Sequence, residues 1–155
     1  MIERMTVEVL SDAPVVGSVV LRIALECGFE RRRAAELALV ASELATNIVK
    51  YGGGRGELRV ALESDALVLT SLDRGHGPPS EAELFGDGIS RGQLRTPDQS
   101  IVTGRGTGGG ALRRLCDEVE LGPREGGGTM IRCRKLLASG RGRRPDPRSR
   151  AQDCP

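Results

Sequence analysis

Glu43 and Asn47 stand four residues apart, and Lys50 follows three later, in a stretch whose apolar residues recur with helical spacing. On a helix these three side chains share one face. A carboxylate, an amide oxygen and a cation together suit chemistry between a divalent metal and a phosphate. The amide oxygen is a hard donor of the kind Mg2+ accepts. The carboxylate can take a proton from an attacking hydroxyl or water. Taken alone, the same pattern also describes an ordinary solvated helix face.

Two further motifs follow in order. Asp73 ends an apolar stretch and opens Arg74-Gly75-His76-Gly77. Its carboxylate can accept a hydrogen bond from an exocyclic amine such as that of adenine, and Gly75 and Gly77 let a ring pack on the backbone. A simple strand-to-loop turn would use the same residue types. Gly104-Arg105-Gly106-Thr107-Gly108 then precedes Ala111–Leu115. Glycines at a helix start expose backbone N–H groups that, with the helix dipole, bind phosphate. A hinge would use such glycines too. The run makes a poor dinucleotide fingerprint, since only Ser100–Thr103 could form the preceding strand, and no GxxxxGK[ST] occurs. Ser42 and the single histidine, His76, show no spacing suited to nucleophilic catalysis.

The elements that must position these residues are legible from periodicity. Met5–Leu10 alternates as a strand, and Ser11 or Asp12 can cap a helix from about Pro14 to Glu26. A second helix is expected from about Glu30 to Tyr51, burying Ala34, Leu37, Ala38, Ala41, Leu44, Ala45 and Ile48, and stopping at Gly52-Gly53-Gly54. Glu57–Leu62 and Ala66–Leu72 read as a hairpin around Ser64-Asp65. A long segment over 74–103 follows, of a length usually functional or disordered. A third helix is expected over about Gly109–Cys116, then a second hairpin, Glu118–Leu121 with Thr129–Leu136. This order predicts an α+β two-layer sandwich, a mostly antiparallel sheet with helices on one face.

Composition narrows the classes. The 155 residues suffice for one domain, expected over 1–137, with a disordered Arg-rich tail over 138–155. The tail holds five arginines against two aspartates, so the remaining body is close to neutral at an overall charge of +2. That argues against a nucleic-acid-binding body; for the tail, a solvated end and a weak contact to an acidic partner are both open. Aromatic residues are only Phe29, Phe85 and Tyr51, so the core must be aliphatic. Cys27, Cys116, Cys133 and Cys154 form no CxxC pair, which argues against zinc. No apolar run reaches membrane-spanning length, and the expectation is a cytoplasmic protein with reduced thiols.

The three motifs together resemble the nucleotide-binding motifs of the GHKL superfamily, the Bergerat ATP-binding fold, over about residues 6–137. Ala41–Tyr51, Gly86-Asp87-Gly88, Arg113–Val119 and Gly126–Arg132 resemble RsbT-type switch kinases, small bacterial serine/threonine kinases related to RsbW-type anti-sigma factors. The resemblance implies ATP and Mg2+ as cofactors. It implies Glu43 as catalytic base or water-orienting group, Asn47 as Mg2+ ligand and Asp73 as the partner of the adenine amine. Gly75, Gly77, Gly104, Gly106, Thr107 and Gly108 would shape the pocket and its lid. Lys50 and Tyr51 resemble the Asn-x-x-Lys-Tyr of histidine kinases, where the cation approaches phosphate. Ser90–Val102 is longer than the usual lid of these kinases, and Gly-Gly-Gly-Ala-Leu stands where bulkier residues are usual.

The implied activity is phosphorylation of a STAS-domain partner in a partner-switching module that regulates stress responses or sigma factors. The alternative is an anti-sigma factor or switch protein that uses nucleotide as a conformational ligand. A third reading is the ATPase half of a histidine kinase, for which no phosphoacceptor helix precedes residue 5. The resemblance involves neither nucleic acid nor membrane and leaves a homodimer open.

Overall fold

The computed structural model describes residues 1–77 and 108–137. The expectations for Gly104, Gly106, Thr107, the segment over 78–103 and the tail over 138–155 lie outside the described residues. Among the described residues, eight elements run in the order β1 (Glu3–Val7), α1 (Asp12–Glu26), α2 (Arg31–Tyr51), β2 (Gly56–Glu63), β3 (Ala66–Asp73), α3 (Gly108–Leu115), β4 (Glu118–Pro123) and β5 (Thr129–Leu136). The fold is α+β, with one five-stranded sheet ordered β1-β2-β3-β5-β4 and every neighbouring pair antiparallel.

Register sorts the sheet into two chemically different faces. One row runs Met5, Leu58, Ser71, Ile131 and Leu121, and the next includes Val60, Leu69, Cys133 and Val119. These rows share one aliphatic core with Val16, Val20 and Ile23 of α1, Leu37, Leu44 and Ile48 of α2, and Leu112 of α3. Fully burying each such side chain contributes roughly 1.5–3 kcal/mol. The opposite face carries charge: Arg132 pairs with Glu63 and Glu120, and Arg134 pairs with Asp65 and Glu118. Period-two alternation in β2 and β5 produces this split.

Several local features differ from the sequence reading. The first strand lies at Glu3–Val7, earlier than Met5–Leu10. Ser11 makes no capping hydrogen bond. Asp12 instead turns back, and its Oδ2 accepts the N–H groups of Glu8 (2.9 Å) and Val9 (3.0 Å), closing the β1–α1 turn. These bonds favour the ionised carboxylate and hold its pKa below the usual value. α1 closes at Gly28, whose φ of +91° lets Phe29 N–H return to the Ala24 carbonyl at 3.0 Å. α3 begins one residue earlier than expected, at Gly108. Three glycines make a weak helix start, so α3 depends on tertiary anchors. Leu112 is fully buried, and the buried Lys135 both donates to the Leu115 carbonyl and pairs with Glu36 of α2 at 2.8 Å.

Candidate functional site

α2 supplies the first group of side chains, and its rotation is fixed by α1. Ser42 Oγ donates to the Ala13 carbonyl at 3.0 Å, and a Cβ on Gly17 would fall 2.3 Å from that Oγ. The helices therefore touch through backbone and a small side chain at the residue before Glu43. Ser42 has a structural partner here, in keeping with the absence of a nucleophile pattern around it.

Glu43 is half-buried. Burial raises its pKa above the usual glutamate value, and the positive charge of Lys50 partly offsets that rise. The two thus sense one another along the helix face, as their spacing requires. Asn47 lies one turn on from Glu43. Its Nδ2 is buried and has no hydrogen-bond partner among the described residues. An unpaired buried amide costs about 1–3 kcal/mol, and such atoms in native proteins usually answer to a ligand, a water or an ion. Lys50 and Tyr51 are exposed at the end of α2.

Asp73 ends β3 and is gripped from several elements. Its Oδ1 accepts the N–H of Gly75 at 2.9 Å and of Thr129 at 3.0 Å. Arg124 Nη1 donates to its carbonyl oxygen at 3.1 Å. Oδ2 has no protein partner among the described residues. One carboxylate oxygen is therefore spent on orientation, and the other remains an acceptor of fixed direction.

Glycines allow this grip. A Cβ on Gly52 would sit 2.5 Å from the Asp73 Cβ, and one on Gly128 would sit 2.1 Å from the Asp73 carbonyl oxygen. Gly75 is less tightly packed: a Cβ there would sit 2.9 Å from the Tyr51 carbonyl oxygen and 3.1 Å from the Gly52 backbone. Gly52 N–H also donates to the Asn47 carbonyl at 3.1 Å. One residue thus links the end of the Glu43–Asn47 helix to Asp73. Gly52 itself has φ −94°, so close approach rather than a left-handed backbone calls for glycine there.

Gly52 links Asn47 to Asp73 and Gly75 across the end of α2 and of β3, and Glu43 lies one turn before Asn47 on α2. Gly77 lies beyond, at φ +106° with open space where a Cβ would stand, and His76 is exposed. Gly108 opens α3. Gly52, Gly128, Thr129 and Arg124 were missed as site residues by the sequence reading. The Gly126-Gly127-Gly128-Thr129 run was the available signal, since three glycines before a strand exceed what a hairpin turn needs.

The donor set suits a nucleotide with its metal: a directed carboxylate acceptor, a buried amide without a partner, and a carboxylate with raised pKa beside a lysine. Among the described residues no three His, Cys, Asp or Glu side chains converge as a metal site of their own. No helix there is long and apolar enough to cross a membrane. The family model of the histidine kinase-like ATPase domain matches residues 10–135. No curated relative matches the chain.

Proposed function

Because the chain belongs to the histidine kinase-like ATPase domain family, we propose that it is an ATP- and Mg2+-dependent serine/threonine kinase of a bacterial partner-switching module, acting on a STAS-domain partner. The observation that carries the nucleotide part is Asp73. Two backbone N–H groups hold Oδ1 and leave Oδ2 to accept from the adenine amine. Kinase specificity rests on the resemblance of Ala41–Tyr51, Arg113–Val119 and Gly126–Arg132 to switch kinases.

Bound ATP would supply the phosphoryl group, and Mg2+ would neutralise charge developing on it. The chain's own residues then have separable tasks. Asn47 offers an amide oxygen to the metal. Glu43 accepts the proton of the acceptor hydroxyl, and its raised pKa brings it nearer the neutral range in which a base works best. Lys50 brings positive charge to the same helix face, beside Tyr51. Gly75 and Gly77 keep the turn after Asp73 low enough for a flat ring to approach the backbone.

The test is transfer from labelled ATP to a purified STAS-domain protein. Transfer by the wild type that is lost in Glu43→Ala supports the kinase. Nucleotide binding without transfer, or equal transfer by Glu43→Ala, overturns it in favour of a switch protein with nucleotide as a conformational ligand.

A further inference from the structure

At the end of the sheet that carries Asp73, on the face away from the helices, Thr6, Arg55, Gly56, Glu57, Arg74 and Arg124 line an open depression of about 350 Å3. A second depression of about 330 Å3 shares Arg74 and Arg124 with it, and adds Glu125 and the backbones of Gly75, Gly126 and Gly127. Three arginines thus line the first depression from three separate segments: Arg55 at the entry to β2, Arg74 at the exit of β3 and Arg124 in the β4–β5 turn.

The surrounding carboxylates balance only one of them. Glu57 is held by Arg4 at 3.3 Å and by Arg59, so it is already shared between two other arginines. Glu8 pairs with Arg55 at 2.9 Å, so Arg55 brings its own countercharge and the unbalanced charges are those of Arg74 and Arg124. Arg124 spends a donor on the neutral carbonyl of Asp73 and gains no countercharge from it. Arg74 is exposed and has no acidic partner among the described residues. Glu125 is exposed and lines only the second depression. Like charges gathered this way repel unless an anion joins them. Guanidinium forks match the paired oxygens of a phosphoryl group better than a monovalent ion, and the volume exceeds that of phosphate alone.

We propose that Arg55, Arg74 and Arg124 form a binding site for a phosphoryl dianion, either free phosphate or a phosphate ester on a side chain, separate from the Glu43–Asn47 face. Arg124 also holds the Asp73 carbonyl, so an occupant here would press on the residue assigned to the adenine.

The test is an NMR titration of the nucleotide-free full chain with inorganic phosphate and, in parallel, with a phosphoserine peptide. Nucleotide-free protein keeps the result independent of the ATP assignment. Saturable shifts at the Gly75, Gly126 and Gly127 amides are expected, weakened at least tenfold in the Arg55→Ala/Arg74→Ala variant. Both arginines are solvent-facing, and an unchanged melting temperature checks that the variant is folded. Tighter binding of the peptide identifies an esterified phosphate as the natural occupant; equal binding identifies free phosphate. Absence of saturable shifts, shifts confined to Asn47 and Lys50, or shifts undiminished in the double variant would overturn the site.

Discussion

Gly128 and Asp73 meet backbone to backbone: a Cβ on Gly128 would lie 2.1 Å from the Asp73 carbonyl oxygen. The adjacent Thr129 N–H then reaches Asp73 Oδ1 at 3.0 Å. The β4–β5 turn and the end of β3 thereby fix the one carboxylate on which the nucleotide reading depends. Gly128→Ala should destabilise the fold by about 2 kcal/mol or more, because it adds this clash to a left-handed φ of +100°. Gly127→Ala has the same φ but open space around it, and should cost about 1–2 kcal/mol. Urea melts of the pair separate the two contributions; equal losses would remove the close approach as a cause.

Asp73→Asn keeps an oxygen that can accept from Gly75 and Thr129, and replaces the other acceptor by a donor. Stability should change by no more than about 1 kcal/mol, while ATP affinity falls at least tenfold, or about 1.4 kcal/mol. Calorimetric titration with ATP measures the loss. Unchanged affinity would release Asp73 from the adenine assignment.

Asn47→Ala removes a buried donor that has no partner among the described residues, so its cost in stability should be small, within about 1 kcal/mol. Titrations with and without Mg2+ should show that the metal no longer strengthens nucleotide binding. A full Mg2+ effect in the variant would place the metal elsewhere.

Glu43 has a raised pKa, so the folded state holds its proton more tightly than the unfolded chain does. Its favourable contribution is complete below the unfolded value and is lost as pH rises through the folded one. Glu43→Gln should therefore raise the melting temperature near pH 7, with the gain shrinking on acidification below the usual glutamate range. Wild-type phosphoryl transfer should decline on acidification at a pH above that range. A melting difference that does not vary with pH would contradict the burial of this carboxylate.

Lys135 and Glu36 tie the end of α3 to α2 through a buried ammonium. A double-mutant cycle with Lys135→Met and Glu36→Gln should give a coupling of about 1–3 kcal/mol. A coupling near zero would remove the ion pair as a source of stability, leaving the Lys135 bond to the Leu115 carbonyl and the burial of Leu112 to hold α3.

Much of the fold was written in local periodicity. The 3.6-residue spacing of Ala34, Leu37, Ala41, Leu44 and Ile48 determined α2 and put Glu43, Asn47 and Lys50 on another face of it. Alternation in β2 and β5 determined which face of each strand is buried, because adjacent side chains on an extended chain must point opposite ways. The same local logic failed at Asp12, a residue type suited to capping. Its carboxylate found two N–H groups in the preceding turn, and only the path of the chain out of β1 put them within reach.

Tertiary structure alone decided how Asp73 is held. Its carboxylate partner Thr129 lies 56 residues away. The two meet because β5, rather than β4, pairs with β3, and the hydrophobic pattern of that second hairpin permits either order. Gly52 reads in sequence as the stop after α2, yet its φ is one that any residue adopts. The glycine is required by Asp73 packing against it, a distance set by the closing of the sheet under the helix.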